Sequence, residues 1–507
     1  MSFGVFVIIL IILSAISLFL LVKFTNKEKS YIVSFLQFFF GYLFIVSGFV
    51  KAVDPLGNSY KMEEYFQEFQ SLFEPTWFSF LVPMFKVFEH ASMGFGNFMI
   101  ILEIVLGVML LIGFKPKLTA WLVFLVMAFF TVLTGFTYLT GYVPMEANFF
   151  QFSKWGEFAE TNMKVTDCGC FGDFIKFTAW QTFLKNMIMI IPVIYLIWKN
   201  SKMHQFGNPF LRWTITLASI VGFYLFILSN YSWGLPMVDF RPFKEGVNIR
   251  EQQQLEQDAL ANIEEKSIVI FNKDNGKTIT IPAQQYYDNI DEYSTSSFEI
   301  KDRIFSEPTV KETEISDFYI EDMDGNDSTI DLLSNPDYSF MIVSWRFPGE
   351  GESSTKVVKD TLFRYDTIRI SDTIFVDGVK PYINTDSFNI VKSIDTVVDK
   401  TIDIYNYIWD ADFMKVILKY INPLVNDAIK DNKQIFFITS ANYEMIEDFI
   451  SDGGPNIKYY NSDDITLKTI VRSNPGIVLL KDGKIIKKWH YKKLPEYSKI
   501  KSEYMSK

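Results

Sequence analysis

Six long apolar runs divide the first 230 residues of the chain. They fall near residues 3–23, 31–53, 93–114, 118–140, 178–198 and 211–230. Each has the length of a helix that crosses a bilayer, which takes about 20 residues. Because no basic residue precedes the first run and no small-residue cleavage site follows it, we expect a retained helix there and not a signal peptide. The pattern predicts a polytopic α-helical membrane domain of about six helices.

After residue 231 the apolar runs become short and alternate with polar segments. A Gln-rich amphipathic helix is expected near 251–264, and the segments 267–271 and 278–281 flank Asp274-Asn275-Gly276, which is a hairpin signal. A strand–turn pattern follows at 318–326. Further strands and helices are then expected in the order strand 340–345, helix 410–431, strand 434–439, helix 442–452 and hairpin 476–486. Helices that alternate with strands in this way predict an α/β domain.

A polar insert at about 349–408 interrupts the α/β pattern. It repeats Asp-Thr units at Asp360, Asp366, Asp372 and Asp395, among many β-branched residues. The β-branched content predicts extended strands or a hairpin arm. Its acidic residues lack the Gly spacing and the clustering of a calcium-binding loop, so no metal is assigned to them.

Charge separates the two halves of the chain. Residues 1–230 carry 15 Lys and Arg against 13 Asp and Glu, so the remainder of the total of 48 and 59 is 33 against 46. The second half is therefore acidic, whereas binding to nucleic acid requires clustered Lys and Arg. We exclude nucleic acid as a partner and expect the lipid bilayer to surround the first half.

The basic residues of the short loops predict the orientation in the membrane. Lys and Arg concentrate in the loops 23–30, 115–117 and 199–212, and such loops stay on the cytoplasmic side. The N-terminus, the segments 54–92 and 141–177, and the chain after about 231 are then expected on the opposite side. In a bacterium this means a multi-pass protein of the inner membrane with a periplasmic C-terminal domain.

Several polar residues interrupt the apolar runs, where an ionisable group is costly and is often functional. Glu103 is either a proton relay or headgroup contact, or a structural bond to a neighbouring helix. Lys185, beside Asn186, is either its partner or a side chain that reaches the membrane surface. At the end of the second run, Lys51 is expected to pair with Asp54 in a turn.

Cys168 and Cys170 are the two cysteines of the chain and are separated by one Gly. Such a pair can close a small, strained disulfide, and strain raises the reduction potential and favours exchange. The alternatives are a static disulfide, two free thiols, and two ligands of a metal completed by His90, His490 or carboxylates. Cys168 and Cys170 are the candidate catalytic residues, and no metal is assigned to the site.

The segments Phe49–Gly57, the Glu103 helix and Thr166–Asp173, followed by Trp180–Asn186, resemble the DoxX/MauE family of small membrane proteins. The Cys-Gly-Cys motif is the most specific part and resembles that of MauE. The resemblance covers about residues 31–200 and implies a four-helix bundle core with the motif near the membrane surface. It also implies a kinship with quinone-linked thiol oxidoreductases, which makes a quinone the candidate cofactor. The chain lacks the membrane-embedded Cys-x-x-Cys of the vitamin K epoxide reductase type.

The C-terminal pattern resembles the thioredoxin fold over about 315–345 and 409–495. Asn474-Pro475 stands where that family has its cis-proline, but Arg346–Gly349 replaces the Cys-x-x-Cys. Since a thiolate is the nucleophile of exchange, this domain cannot perform exchange by itself and is interpreted as a docking module.

These patterns predict five regions and two functions. The regions are an N-terminal helix and basic loop at 1–30, a DoxX/MauE-like bundle at 31–200, a sixth membrane helix at 201–235, a linker with a small β element at 236–314, and a thioredoxin-like domain at 315–507 with the insert 349–408. One function is redox-associated thiol–disulfide exchange with a periplasmic or membrane protein partner, linked to quinone. The other is a non-catalytic scaffold or assembly factor whose thioredoxin-like domain binds a periplasmic partner.

Overall fold

A computed structural model describes residues 3–25, 28–165, 169, 171–175, 177–293, 297–374 and 382–506. For residues 173, 350, 352–374 and 382–406 it describes the backbone alone. Two compact units result. The first comprises Met1–Trp345, Asn426–Ser440 and Ile457–Lys507, and the second comprises Arg346–Val425 and Ala441–Asn456.

The first unit begins with eight helices. They are α1 (Phe3–Thr25), α2 (Tyr31–Val53), α3 (Pro55–Phe73), α4 (Val82–His90), α5 (Ser92–Ile112), α6 (Pro116–Thr140), α7 (Ala179–Trp198) and α8 (Pro209–Tyr231). Six of these, all except α3 and α4, are long and apolar enough to cross a membrane. The six expected spans are therefore confirmed as helices, and the chain is a multi-pass membrane protein.

Close contact between α2 and α5 organises the membrane helices. A Cβ added at Gly48 of α2 would lie 3.2 Å from the backbone nitrogen of Ile104 and 3.3 Å from the Cβ of Glu103, both on α5. Small residues at such a crossing let two helix backbones approach each other. Gly48 therefore brings the polar side chain of Glu103 against α2.

The helix starts around the candidate residues have local causes. Pro55 occupies the first turn of α3, and the Asp54 carboxylate accepts a hydrogen bond from the Gly57 backbone N–H at 3.3 Å. At the start of α7, Thr178 and Gln181 form a reciprocal capping box. These caps fix where α3 and α7 begin.

The polar half of the first unit contains two sheets. The bounds of its strands are β1 (Glu265–Asn272), β2 (Lys277–Pro282), β3 (Phe298–Phe305), β4 (Tyr338–Ser344), β7 (Gln434–Thr439), β8 (Lys458–Asn461), β9 (Gly476–Lys481) and β10 (Lys484–His490). The small antiparallel sheet has the order β2-β1-β3, and its β1–β2 hairpin turns at the expected Asp274-Asn275-Gly276.

The larger sheet is mixed and has the order β10-β9-β4-β7-β8. Strand β7 is parallel to both β4 and β8, whereas β9 is antiparallel to β4 and to β10. The Asn474–Pro475 peptide bond before β9 is cis. This arrangement is compatible with the thioredoxin-like fold that the sequence predicts. Its core includes Met341, Val343, Phe436, Val478 and Ile485.

The prediction of a strand at the start of the strand–turn pattern 318–326 is wrong. Glu321 makes only single bridges, to Asp327 and to Asn461. The Asp322 carboxylate accepts backbone hydrogen bonds from Asp324 and Asn326, at 2.9 and 2.8 Å. Side-chain hydrogen bonds of this kind favour a turn over a strand.

The remaining helices are short. They are α9 (Ile249–Ala261), α10 (Ala283–Asp288), α11 (Ile290–Tyr293), α12 (Thr329–Leu333), α13 (Ala411–Val416), α14 (Asn422–Lys430), α15 (Tyr443–Ser451), α16 (Asp464–Ile470) and α17 (Tyr497–Ile500). The expected helix at 410–431 is present as α13 and α14, with a π-helical turn, Ile417–Ile421, between them.

The second unit contains a long antiparallel ribbon. Its strands are β5 (Gly349–Ile374) and β6 (Tyr382–Trp409), which pair from Gly349 opposite Trp409 to Ile374 opposite Tyr382. At the base of the ribbon, the rings of Phe347 and Phe449 stack at 4.3 Å.

Candidate functional site at the cysteine motif and the α2–α5 contact

The two cysteines of the motif, Cys168 and Cys170, lie outside the described residues. The residues next to them, Gly169, Phe171 and Gly172, are described. Both glycines have positive φ, +58° and +50°, a conformation that Gly adopts at little cost.

Phe171 anchors the motif segment in the core of the membrane helices. Its side chain is 2% exposed, and its ring makes an edge-on contact with Phe6 of α1 at 5.3 Å. The Lys185 Nζ of α7 lies 5.0 Å from the centre of the Phe171 ring and 5.4 Å from that of Phe177. Lys185 thus makes cation–π contacts with two aromatic rings, those of Phe171 and Phe177.

Lys51 and Glu103 form a buried ion pair between α2 and α5. The Lys51 Nζ lies 2.6 Å from Glu103 Oε1, and each side chain is 4% exposed. The Ser47 hydroxyl donates to Glu103 Oε2 at 3.1 Å, and the Lys51 ammonium lies 4.7 Å from the centre of the Phe130 ring. Each charge is therefore compensated inside the bundle.

This pair corrects two expectations from the sequence. One of the two interpretations of Lys185 made it the partner of Glu103, and Lys51 was expected to pair with Asp54. Instead Lys51 and Glu103 pair with each other, Lys185 contacts aromatic rings, and Asp54 binds Arg472. The physical reason is the close α2–α5 contact at Gly48, which sets the Glu103 side chain beside α2.

Most of the polar residues predicted as candidates in the membrane domain line one small cavity. This membrane cavity has a volume of about 40 Å³ and is lined by Ser47, Lys51, Glu103, Phe171, Lys185 and Asn186, among others. A water molecule needs roughly 10–15 Å³ of such space, and the lining offers polar partners. Asn186 is held by its side-chain amide, which donates to Thr134 Oγ1 at 3.2 Å. The membrane cavity can therefore hold water beside the ion pair.

A larger, charged cleft lies at the end of α2. This motif cleft has a volume of about 280 Å³, and its lining includes Lys51, Asp54, Lys61, Gly169, Gly172 and Arg472. A Cβ added at Gly169 would lie 3.5 Å from Lys61 Cγ, so Lys61 of α3 lies directly against the residue between the two cysteines. Lys51 lines both the motif cleft and the membrane cavity.

Asp54 and Arg472 close one wall of the motif cleft. Arg472 Nε lies 3.0 Å from both carboxylate oxygens of Asp54, and its Nη1 donates to the Lys468 carbonyl at 2.6 Å. Burial opposes the ionisation of Asp54, but the positive charges of Arg472 and Arg241 outweigh it. The pKa of Asp54 therefore lies below its usual value. Sequence reasoning missed Arg472, since no local pattern marks a partner so distant along the chain.

A second buried cluster connects the segment after α8 to the larger sheet, and no pattern in the sequence indicates it. Lys488 of β10 donates to Asp239 at 2.5 Å and to the carbonyl of Phe243 at 2.6 Å. Arg241 Nε also donates to Asp239, at 2.8 Å. Burial and the nearby Arg241 charge lower the pKa of Lys488 to about 8, despite the opposite effect of Asp239.

Within the described part of the chain, no group of three or more His, Cys, Asp or Glu side chains could hold a metal ion. A metal bound by Cys168 and Cys170 falls outside that part.

Comparison with known proteins finds a similarity in the membrane domain. Residues 29–144 match the sequence model of the family described as methylamine utilisation protein MauE. This range includes Lys51, Asp54 and Glu103 and ends before the cysteine motif. The chain is also 39% identical over 59 residues to "Protein TlpB" of Flavobacterium psychrophilum, and this alignment covers 12% of the chain and 16% of that protein. No solved structure matches the chain. The chain is thus a multi-pass membrane protein with a segment, residues 29–144, that is similar to MauE.

Proposed function

We propose that this protein performs thiol–disulfide exchange through Cys168 and Cys170 at the periplasmic face of a bacterial inner membrane, with a membrane quinone as the electron acceptor. The observation that carries the proposal is that Gly169, between the two cysteines, lines a charged cleft together with Lys51 and Lys61. The Lys-containing loops at 23–30, 115–117 and 199–212 support the orientation.

The charge of the motif cleft favours the reactive form of a cysteine. The thiolate is the nucleophile in exchange, and nearby Lys or Arg lowers the pKa of a thiol. The Lys61 side chain lies close to Gly169, since a Cβ added there would be 3.5 Å from Lys61 Cγ, and the Lys61 ammonium pairs with Glu64 at 2.8 Å. We therefore assign Lys61 the role of favouring the thiolate state of the motif.

The reaction transfers two electrons and two protons in each half. A thiolate of a dithiol partner attacks one sulfur of the Cys168–Cys170 disulfide, and the other cysteine leaves as a thiolate. The second thiolate of the partner then breaks the mixed disulfide, so that the partner leaves as a disulfide and the pair becomes a dithiol. A membrane quinone takes up two electrons and two protons from this dithiol, which restores the disulfide and yields the quinol.

The C-terminal domain has the role of a docking module in this proposal. Its mixed sheet supports a thioredoxin-like fold at 315–507, and the sequence contains no cysteine after Cys170. We propose that it presents a periplasmic partner to the membrane bundle at 31–200, and that the segments 1–30, 201–235 and 236–314 anchor and connect these parts. The insert 349–408 is the arm of this domain.

The first experiment measures the redox state of the pair in intact membranes. Maleimide mass-shift labelling reports Cys168 and Cys170 alone, because the chain has two cysteines. An exchange centre is expected to titrate at about −200 mV or above, whereas structural disulfides typically lie below roughly −300 mV. Full resistance to reduction across this range would contradict the proposal.

A trapping experiment then identifies the partner. Cys168→Ser and Cys170→Ser each leave one cysteine, which is expected to accumulate a mixed disulfide visible on a non-reducing gel. The double substitution is the matched control and should trap nothing. If neither single variant traps a partner while cells keep the function of the protein, exchange is excluded.

A scaffold is the second candidate, and the cysteine-free C-terminal domain is the observation that favours it. In that case a partner should copurify with the cysteine-free double variant as well as with the wild type. Deletion of 409–495 should abolish the complex. Loss of the complex in the cysteine-free variant would instead favour exchange.

A further inference from the structure

Lys51 is shared by two compartments of the site. This residue lines both the motif cleft and the membrane cavity. In the membrane cavity it contacts Glu103, whose second carboxylate oxygen accepts a hydrogen bond from Ser47. The ion pair therefore stands between a cleft lined by Gly169 and a cavity lined by Phe171, the neighbours of the two cysteines.

Burial of both charges within the membrane bundle is costly unless they are paired. The pair is nevertheless adjacent to space that can hold water, since the membrane cavity has a volume of about 40 Å³. A 2.6 Å contact between an ammonium and a carboxylate is short enough for a proton to pass between them. The short contact and the adjacent space for water favour proton transfer as the role of the pair over helix association alone.

We infer that Lys51 and Glu103 are a proton-transfer pair that conducts protons from the motif cleft to the membrane cavity. The inference rests on the proposed function, because oxidation of the dithiol releases two protons in the cleft while the quinone takes up two protons in the membrane. The pair supplies the path between these two places.

Each proton passes from the motif cleft to the membrane cavity in three steps. The Lys51 ammonium gives a proton to the Glu103 carboxylate, which leaves a neutral amine and a neutral carboxylic acid. Glu103 then releases this proton through the membrane cavity to the reduced quinone and regains its negative charge. The Lys51 amine takes a proton released by the cysteines and becomes an ammonium again. Two such cycles accompany each quinone reduced.

Lys51→Arg is the sharpest test, because Arg keeps the positive charge and the ion pair but is not deprotonated in proteins. The full chain is reconstituted in phosphatidylethanolamine–phosphatidylglycerol vesicles with decylubiquinone and reduced beforehand, and the loss of its thiols is followed by maleimide labelling. We expect reoxidation to slow roughly 100-fold, within the range that acid–base groups contribute to rates. Wild-type reoxidation in Lys51→Arg would overturn the inference.

A second variant guards against misfolding of Lys51→Arg. Lys51→Met combined with Glu103→Gln removes both charges, so that no unpaired charge stays buried. It should fold and should also reoxidise roughly 100-fold more slowly. Lys164→Met is the control, because Lys164 is a half-exposed lysine paired with Glu68 at 3.3 Å, and it should reoxidise at the wild-type rate. Fast reoxidation of the double variant would overturn the inference.

Reduction of the disulfide by dithiothreitol separates this inference from the proposed function. It needs no proton path through the membrane domain and should be equally fast in wild type and variants. If the wild-type disulfide resists reduction, the proposed function fails, and the inference fails with it. If reduction is normal but decylubiquinone does not oxidise the wild-type dithiol, the quinone step of the proposed function fails and the inference fails with it. If decylubiquinone oxidises the wild-type dithiol and the variants reoxidise at the wild-type rate, the inference alone is overturned.

Discussion

Arg472 binds Asp54 through two nitrogens, with Nε 3.0 Å from both carboxylate oxygens and Nη2 2.9 Å from Oδ2. Asp54 stands between α2 and α3, and Arg472 follows α16 in the C-terminal part of the first unit. Arg472 is 7% exposed and Asp54 17%. A bidentate, largely buried pair of this kind is geometrically specific. It links the end of a membrane helix to the polar half of the same unit.

Arg472→Ala is expected to destabilise the first unit by about 3 kcal/mol, because it leaves the Asp54 carboxylate buried without its main partner. The midpoint of thermal unfolding in detergent measures this loss. Arg250→Ala is the matched control, since Arg250 and Asp482 form an exposed pair at 3.3 Å, and its effect should stay below about 1 kcal/mol. Equal effects of the two substitutions would contradict the specific role of Arg472.

The same pair predicts a loss of stability in acid. Because the pKa of Asp54 is lowered in the folded protein, its contribution is complete above the usual value of 3.8 and is lost as the pH falls through the folded value. The unfolding midpoint of Asp54→Asn should therefore lie below that of the wild type between pH 5 and 7. The two midpoints should converge below about pH 4. A difference between the two midpoints that stays constant down to pH 2 would show that ionisation of Asp54 does not contribute to stability.

Lys488 predicts that stability also rises with pH in the alkaline range. Its pKa is about 8 in the folded protein against a usual 10.5, so the unfolded chain binds more protons between these values and stability rises with pH there. The wild type should gain stability relative to Lys488→Met from pH 8 to 10. Lys487→Met changes the adjacent, partly exposed lysine and should follow the wild-type trend. A flat difference between wild type and Lys488→Met would show that Lys488 titrates normally.

The membrane helices could be predicted from the sequence because an apolar run of about 20 residues has few alternatives to a membrane helix. The β1–β2 hairpin followed from Asp274-Asn275-Gly276, whose turn preference is local. Glu103, Lys185, Asn186 and Lys51 were identified because polar residues in apolar runs are rare. Local signals thus sufficed to identify elements and candidate residues.

The pairing of these residues could not be predicted, because it depends on which helices touch. Lys51 and Asp54 are three residues apart, but the chain turns between them, and their partners lie 52 and 418 residues away. Gly48 was one of the available signals for the α2–α5 contact, together with Gly41 and Gly107. A glycine in an apolar run indicates a close helix approach, but it does not identify the partner helix.

Gly48→Ala is expected to destabilise the membrane domain by about 1–3 kcal/mol, since the added methyl group would press α2 away from α5. Separation of these helices would also lengthen the contact between Lys51 and Glu103. Gly222→Ala in α8 is the matched control, because a Cβ there meets nothing within 4 Å. Thermal unfolding in detergent should distinguish the two. A wild-type unfolding midpoint in Gly48→Ala would show that α2 and α5 accommodate the methyl group without a loss of stability.

Phe171→Ala should change the reactivity of the motif itself. Phe171 is buried against Phe6 and under the Lys185 ammonium, so its removal frees the residue that follows Cys170 from the membrane core. We expect reduced Cys168 and Cys170 to react faster with maleimide, because the segment samples more exposed conformations. Phe152→Ala, at a ring that is 65% exposed in the same connection between α6 and α7, should leave the labelling rate unchanged. If both variants label at the wild-type rate, the position of the motif does not depend on this anchor.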